Sequence, residues 1–361
     1  MTLSTYESNT TLAAIAAELD AAASVLITTH AKPDGDAIGS VVALARALLS
    51  RGGGKRVACC FMPPIGESFQ PFIAGLEVYT HRQEDSGPPC PFEPERIVIV
   101  DTGAWSQLEP LHAWLAPRRE RAIVIDHHLR GDDVAAMRFI DAEAAASAEI
   151  VAQLIHVMGV PLDLPIATAL FMGVASDTGW FRFSNTRPCT HDLASRLMRV
   201  GVDHADLYIR LEQSERPQKL GLMTRALDSL ELLAGGRAAV MTLRVRDFTE
   251  TGARVDETER LVDLPQIIGP VQVVVLVTET ETGPVRLSFR SKPGTGPNPG
   301  VDVNVLAQRF GGGGHARAAG AKVKAPLEAT RRAVVEAVEQ VMGGAGSGAR
   351  EESAGTSPAA K

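Results

Sequence analysis

The sequence predicts an α/β protein: an N-terminal domain on a mostly parallel sheet, a helical connector, and a smaller mixed α+β C-terminal domain. Three observations carry this. Short β-branched runs alternate with helical segments through the first half of the chain, the pattern of βαβ units. Four acidic or histidine-bearing clusters each follow an apolar run, as ligands do beyond the carboxyl ends of parallel strands. Glycine runs at 52–54 and 235–236 stand where helical patterns should stop.

Taken in order, residues 1–10 are polar and read as a loose arm. Residues 11–23 have helical periodicity, and 24–29 is a β-branched strand. A helix over about 37–50 ends at Gly52-Gly53-Gly54, and a strand follows at 56–61. Two fully apolar strands, 97–100 and 122–125, then end on Asp101 and Asp126. Helical periodicity returns over 191–233. It marks a connector, 188–234, between a first domain over 11–187 and a second over 235–342. Strands are expected there at 238–244, 271–278 and 285–289, with a helix near 303–310. Residues 343–361 lack a hydrophobic face and are expected to be disordered.

With 361 residues, 45% hydrophobic and 22% charged, the chain has the composition of a globular protein with a sizeable core and two domains. A net charge of -7 argues against a protein that coats long nucleic acid. It leaves room for a small anion, because local basic groups and metal ions override net charge. Cys59, Cys60, Cys90 and Cys189 form no C-x-x-C pair, so a reduced compartment is expected rather than a zinc ribbon or thioredoxin-like chemistry. No basic side chain precedes Lys32, so no secretory leader is read. The apolar stretch 271–277 is too short to span a bilayer. A cytoplasmic protein without membrane association is the expectation.

The clusters carry the chemistry. The first is His30-Ala31-Lys32-Pro33-Asp34-Gly35-Asp36, in which alternate aspartates on a turn could aim at two ions while Gly35 permits the bend; a helix cap is the bland alternative. Asp101, in Asp101-Thr102-Gly103, is by itself an ordinary strand-end residue, but a two-metal site needs a bridging carboxylate in such a place. Asp126-His127-His128 is harder to explain blandly, because three polar groups in a row after a buried strand need partners. Asp177 sits in Ser176-Asp177-Thr178-Gly179-Trp180-Phe181-Arg182-Phe183, whose aromatic residues read as packing and whose arginine reads as a surface group. Together these carboxylates and imidazoles form a hard ligand set suited to a two-metal hydrolytic centre. The two Asp-Thr-Gly triplets do not make an aspartic protease, which would need β-rich lobes and would leave the histidines without a role. Near the C-terminus, Arg290-Ser291-Lys292 and Gly311-Gly312-Gly313-Gly314-His315 point to anion binding, by a guanidinium fork and by backbone N–H groups.

The motif His30-x-x-Pro33-Asp34-x-Asp36, with Asp101, Asp126-His127-His128 and Asp177, resembles the DHH phosphoesterases, whose relatives include RecJ exonucleases and manganese-dependent pyrophosphatases. Arg290-Ser291-Lys292 and Gly312-Gly313-Gly314-His315 look like the DHH-associated C-terminal domain. The combination with residues 173–183 is similar to the NrnA-type oligoribonucleases that also act as pAp phosphatases. The resemblance covers roughly residues 20–325. It implies two divalent ions, Mn²⁺ first and Mg²⁺ second. One would be held by His30, Asp34 and Asp101, the other by Asp36, Asp101, His127 and Asp177. It implies catalytic roles for His128 at the scissile phosphate and for Asp126 as its orienter. It also implies substrate contacts from Arg290, Ser291, Lys292, Gly313, Gly314 and His315. Residues 293–300 read as an extended loop, a departure from the family pattern that puts the contacts around it in doubt.

The implied substrates are short RNA or DNA oligonucleotides, linear dinucleotides such as pApA and pGpG, and pAp, with long nucleic acid not expected. A homodimer is compatible with this reading. The alternatives are a manganese-dependent inorganic pyrophosphatase, a RecJ-like single-strand exonuclease, and a non-catalytic nucleotide sensor on the same fold. Filled ligand positions argue against the sensor, and the missing basic track argues against the long-strand exonuclease.

Overall fold

Thr11 opens the first helix by accepting a hydrogen bond from Ala14 N, and α1 (Leu12–Ala21) turns Ile15, Ala16 and Leu19 into the core. From there the described residues of the computed structural model, 6–294 and 300–344, divide into two compact units that separate between Ser214 and Glu215.

In the first unit, β1 (Ser24–Thr28), β2 (Arg56–Phe61), β3 (Glu77–Thr80), β4 (Arg96–Val100), β5 (Ala122–Asp126) and β6 (Met137–Ile140) form one sheet in the order β3-β2-β1-β4-β5-β6. Every pairing is parallel. The central strands are apolar on both faces, as a sheet covered on both sides requires. On one face Ile27, Cys59, Val98 and Ile125 pack with α1, α2 (Gly35–Ser50), α5 (Ser147–Val157) and α6 (Leu164–Asp177). On the other, Leu26, Cys60, Ile99 and Val124 pack with Leu108, Leu111 and Leu115, around the short helix α4 (His112–Leu115). A second short helix, α3 (Gln70–Ile73), precedes β3. The strand order reverses between β1 and β4, and the crevice beyond the carboxyl ends of those strands is where such sheets bind ligands.

Glycine sets the spacing of α2 and α6. A Cβ on Gly35 would overlap the Ser176 side chain, and one on Gly39 would overlap Ala169 O. The helices therefore meet backbone to backbone. This corrects the expected role of Gly35: it lies inside α2 with an ordinary helical conformation, Asp34 is the N-cap, and no bend separates Asp34 from Asp36.

The expected connector over 188–234 does not form a separate body. Helices α7 (Pro188–Val200) and α8 (His204–Glu212) belong to the first unit, while α9 (Pro217–Asp228) and strand β7 (Glu231–Leu233) belong to the second. The second unit carries β8 (Ala238–Leu243), α10 (Val245–Thr251), β9 (Val273–Thr278), β10 (Val285–Ser291), α11 (Val303–Gln308), β11 (Gly313–Gly314), β12 (Ala318–Val323) and α12 (Leu327–Gly344). Its mixed sheet runs β11-β12-β10-β9-β8-β7. One face, including Leu287, Phe289 and Val275, packs on α11 and α12 residues, and Val274, Leu276 and Met241 on the other pack with Leu222 and Ala226 of α9. Residues 343 and 344, expected in the tail, close α12, whereas residues 345–361 of that tail and 295–299 of the 293–300 loop lie outside the described residues. The four cysteines are free thiols, and among the described residues no helix is long and apolar enough to cross a membrane.

The N-terminal arm is not loose over its described part. Asn9 N donates to Arg138 O at 2.9 Å and Asn9 Oδ1 accepts from Arg138 N at 2.7 Å. Ser8 Oγ donates to Ile140 O at 2.9 Å and accepts from Ile140 N at 2.8 Å. Ser8 and Asn9 thus run along β6, a contact that composition does not reveal.

Candidate metal centre

Asp101 follows β4 and is almost fully buried, in a left-handed conformation (φ 64) that side chains other than glycine adopt at a cost of about 1–2 kcal/mol. Its two oxygens face different histidines. His30 Nε2 lies 3.4 Å from Asp101 Oδ2, and His127 Nε2 lies 3.4 Å from Asp101 Oδ1. His127 Nε2 is also 3.4 Å from Asp177 Oδ2, and His30 Nε2 is 3.8 Å from Asp34 Oδ1. Donor atoms of His30, Asp34 and Asp101 lie within 4.8 Å of one another, as do those of Asp36, His127 and Asp177 and those of Asp101, His127 and His128. The expected ligands therefore meet at one place.

Asp177 reaches that place from a helix. It is the last residue of α6 rather than a strand end, a correction to the sequence expectation. The chain leaves through Gly179, Trp180 and Phe181, all left-handed (φ 55, 58 and 64), with Phe181 N donating to Thr178 Oγ1. Such turns cost about 1–3 kcal/mol for each non-glycine residue and collect at functional sites. Trp180 and Phe181 pack on the core as expected, whereas Phe183 is exposed.

Asp36 is buried completely at the N-terminus of α5, accepting from Ser147 N at 2.6 Å and Ala148 N at 2.9 Å. Free N–H groups at a helix start favour an anion there. Ser147 also donates its Oγ to Asp101 Oδ1 at 3.0 Å, so one residue braces both carboxylates. In the sequence, Ser147 is marked only as a lone serine after Ala144-Ala145-Ala146.

The fit to divalent ions rests on the donors themselves. His30 Nδ1 lies 3.1 Å from Ala31 O and His127 Nδ1 lies 3.1 Å from Ala144 O. Since a carbonyl only accepts, each Nδ1 carries the proton and each Nε2 presents a lone pair to carboxylate oxygens. Lone pairs facing lone pairs require a cation, or protons, between them. Without an ion, protons are what the cluster demands. Burial pulls the His30 imidazole down, but Asp101 and Asp34 outweigh it and hold it at about 11; the same contest, with Asp101 and Asp36, holds His127 at about 10. Burial pushes Asp36 well up and Asp177 up to about 6, whereas His127 and His30 overcome burial and hold Asp101 well below the carboxylate range.

Beside this cluster, Asp126 at the end of β5 accepts through Oδ1 from His127 N, His128 N and His128 Nδ1, the last at 2.7 Å. His128 is therefore oriented with Nε2 free. Tyr6 Oη donates to Asp126 Oδ2 at 2.5 Å, a partner 120 residues away that no motif signals.

In the second unit the expected substrate residues divide. Ser291 is buried, its Oγ donating to Val301 O at 2.7 Å, and Lys292 Nζ donates to Ile268 O at 2.7 Å. Both side chains anchor backbone, contrary to the contacts expected of them. Arg290 lies on the opposite face of β10, half-buried, with Nε 3.3 Å from Asp263 Oδ1. Gly313 and Gly314 pair with β12, and His315 N donates to Ala318 O at 2.8 Å. A Cβ on Gly312 would overlap Gly320 O, so part of this glycine run serves strand packing rather than a ligand. Gly313, Gly314 and His315 are nonetheless exposed.

Residues 24–174 match the DHH family, N-terminal domain, and residues 235–348 match the DHHA1 domain. The bifunctional oligoribonuclease and PAP phosphatase NrnA of Thermus thermophilus is 32% identical over 323 residues, 89% of this chain and 91% of that protein. Among solved structures, an exopolyphosphatase-related protein from Bacteroides fragilis shares the fold with a TM-score of 0.80 at 23% identity, covering 92% of this chain and 95% of that one. RecJ from Thermus thermophilus, solved in complex with Mn²⁺, shares it with a TM-score of 0.54 at 17% identity, over 92% of this chain and 54% of RecJ.

Proposed function

Since this chain belongs to the DHH family and is a hydrolytic phosphoesterase, we propose that it cleaves short oligonucleotides and linear dinucleotides to 5′-mononucleotides and dephosphorylates pAp to AMP. The observation that carries the reading is Asp101, which offers one oxygen toward each of two histidines that are themselves fixed by backbone carbonyls. His30, Asp34 and Asp101 would hold one divalent cation, and Asp36, Asp101, His127 and Asp177 the other. Cations so held supply Lewis acidity toward water and toward phosphoryl oxygens. Mn²⁺ suits this oxygen and imidazole set best, with Mg²⁺ second.

The chain's own residues do the rest. In the hydrolysis a water oxygen becomes bonded to phosphorus, the P–O bond to the leaving sugar breaks, and the leaving oxygen takes up a proton. His128 as the imidazolium would donate from Nε2 to a phosphoryl oxygen or supply that proton. Asp126 keeps it aligned and raises its proton affinity against the effect of burial. Ser147 holds Asp101 and Asp36 at fixed positions, so that little reorganisation accompanies the reaction. Arg290, Gly313, Gly314 and His315 would bind the distal phosphate or sugar, with Ser291 and Lys292 positioning the backbone that carries Arg290. A cytoplasmic enzyme fits the free thiols.

The test is release of mononucleotide or phosphate with Mn²⁺ or Mg²⁺ from a 5′-phosphorylated dinucleotide, pAp, a 24-mer and pyrophosphate. Preference for the first two is expected. Preference for the 24-mer or pyrophosphate would place the chain with RecJ-like or pyrophosphatase activity instead, and binding without turnover would leave a sensor.

A further inference from the structure

We propose that Tyr6 is a positioning residue for this hydrolysis: its hydroxyl holds the Asp126 carboxylate and, through it, the orientation of His128. The inference rests on the functional reading just given.

Asp126 is fully buried. Its Oδ1 serves His127 N at 2.8 Å, His128 N at 3.2 Å and His128 Nδ1 at 2.7 Å, and its Oδ2 accepts from Tyr6 Oη at 2.5 Å. Without the phenol, a buried carboxylate oxygen would lose its donor and the carboxylate its rotational lock. The slot for the ring is built. A Cβ on Gly103 or on Gly131 would overlap the Tyr6 ring. Gly103 lies two residues after Asp101 and Gly131 three after His128, so the ring wedges between the two loops that carry them. The glycine of Asp101-Thr102-Gly103 thus has a physical reason. Ser8 and Asn9 then tie the arm to Ile140, Arg138 and Ala136, which delivers Tyr6 across a sequence gap of 120 residues. Packing alone would be satisfied by phenylalanine; the short hydrogen bond would not.

The test uses the full chain loaded with Mg²⁺ and the substrates pAp and a 5′-phosphorylated dinucleotide. Tyr6→Phe is made in the wild-type and in the His128→Asn background. The expected result is a fall in kcat of about tenfold, the size of one hydrogen bond to a charged group, with KM within about twofold. No further loss is expected in the His128→Asn background. Wild-type kcat in Tyr6→Phe, or the same loss in both backgrounds, would overturn the proposal. The tautomer of the uncharged His128 ring, read by long-range ¹⁵N–¹H correlation at a pH above its titration, decides independently of turnover. A pure Nδ1–H form that becomes mixed in Tyr6→Phe supports the role, and an unchanged spectrum rejects it. If the wild type cleaves neither substrate, it is the functional reading that fails, and the tautomer still judges Tyr6.

Discussion

Gly173 lies directly against Asp36: a Cβ on Gly173 would stand 2.8 Å from Asp36 Oδ1 and 2.5 Å from Ala148 Cβ. The absent methyl lets α6 approach α2 at the level where Asp36 meets the start of α5. Gly173→Ala should destabilise the chain by about 1–3 kcal/mol through overpacking, and it should weaken metal affinity because Asp36 is displaced. Thermal unfolding in EDTA and calorimetric metal titration measure the two effects. An alanine variant unchanged in both would show that the contact is slack.

Asp101→Ala removes the carboxylate that faces both histidines. Turnover should drop by at least about 1000-fold, while far-UV circular dichroism stays native. The rise in Tm that metal gives the wild type should shrink sharply, because a ligand stabilises only the fold that binds it. Near-normal activity in this variant would remove Asp101 from the centre.

Proton release should accompany metal loading. Ion-free His30 and His127 titrate at about 11 and about 10, so both are protonated at pH 8, and a bound cation needs each Nε2 free. Affinity should therefore rise with pH, and titrations in buffers of different ionisation enthalpy should count at least about two protons released, with buried Asp36 able to add to that number. The ion-free fold should behave oppositely. The raised imidazoles stabilise it fully below their ordinary value of 6.5 and lose that contribution as pH rises through about 10 to 11. Asp177, raised by burial to about 6 from 3.8, adds a fall of the same sign over that lower interval. Tm in EDTA should decline between pH 6.5 and 9.5, and a flat profile would contradict the protonated cluster.

Arg290 and Ser291 should separate in their effects. Arg290→Ala should raise KM about tenfold with little change in Tm, as loss of a charge-assisted contact does. Ser291→Ala, whose hydroxyl bonds Val301 O, should cost about 1 kcal/mol of stability and leave kcat nearly intact. The reverse pattern would return Ser291 to the substrate.

Much of the site was legible because its chemistry is local in sequence. Asp101 and Asp126 sit at the ends of apolar runs that read as strands, and Asp126-His127-His128 is harder to explain as an ordinary polar loop than as a site. Other features depend on distance. The run before Asp177 is apolar throughout and fits strand or helix equally, so only packing against α2 decides for a helix. Strands β3 and β6 are short and half-buried at the sheet edges, and neither alternates strongly. Ser291 and Lys292 look like an anion motif in one dimension, yet the backbone groups they satisfy lie 10 and 24 residues away. Tyr6 had no signal, since its partner lies 120 residues on.

The ligands from His30 to Asp177 are scattered over the ends of parallel strands and over helices α2 and α6. No fragment ending before α6 contains the full set, and parallel pairing across such separations is slow to form. Cation capture is thus a late event in the life of each molecule. Ion occupancy would therefore report completed folding of the first unit, whose residues alone supply these ligands.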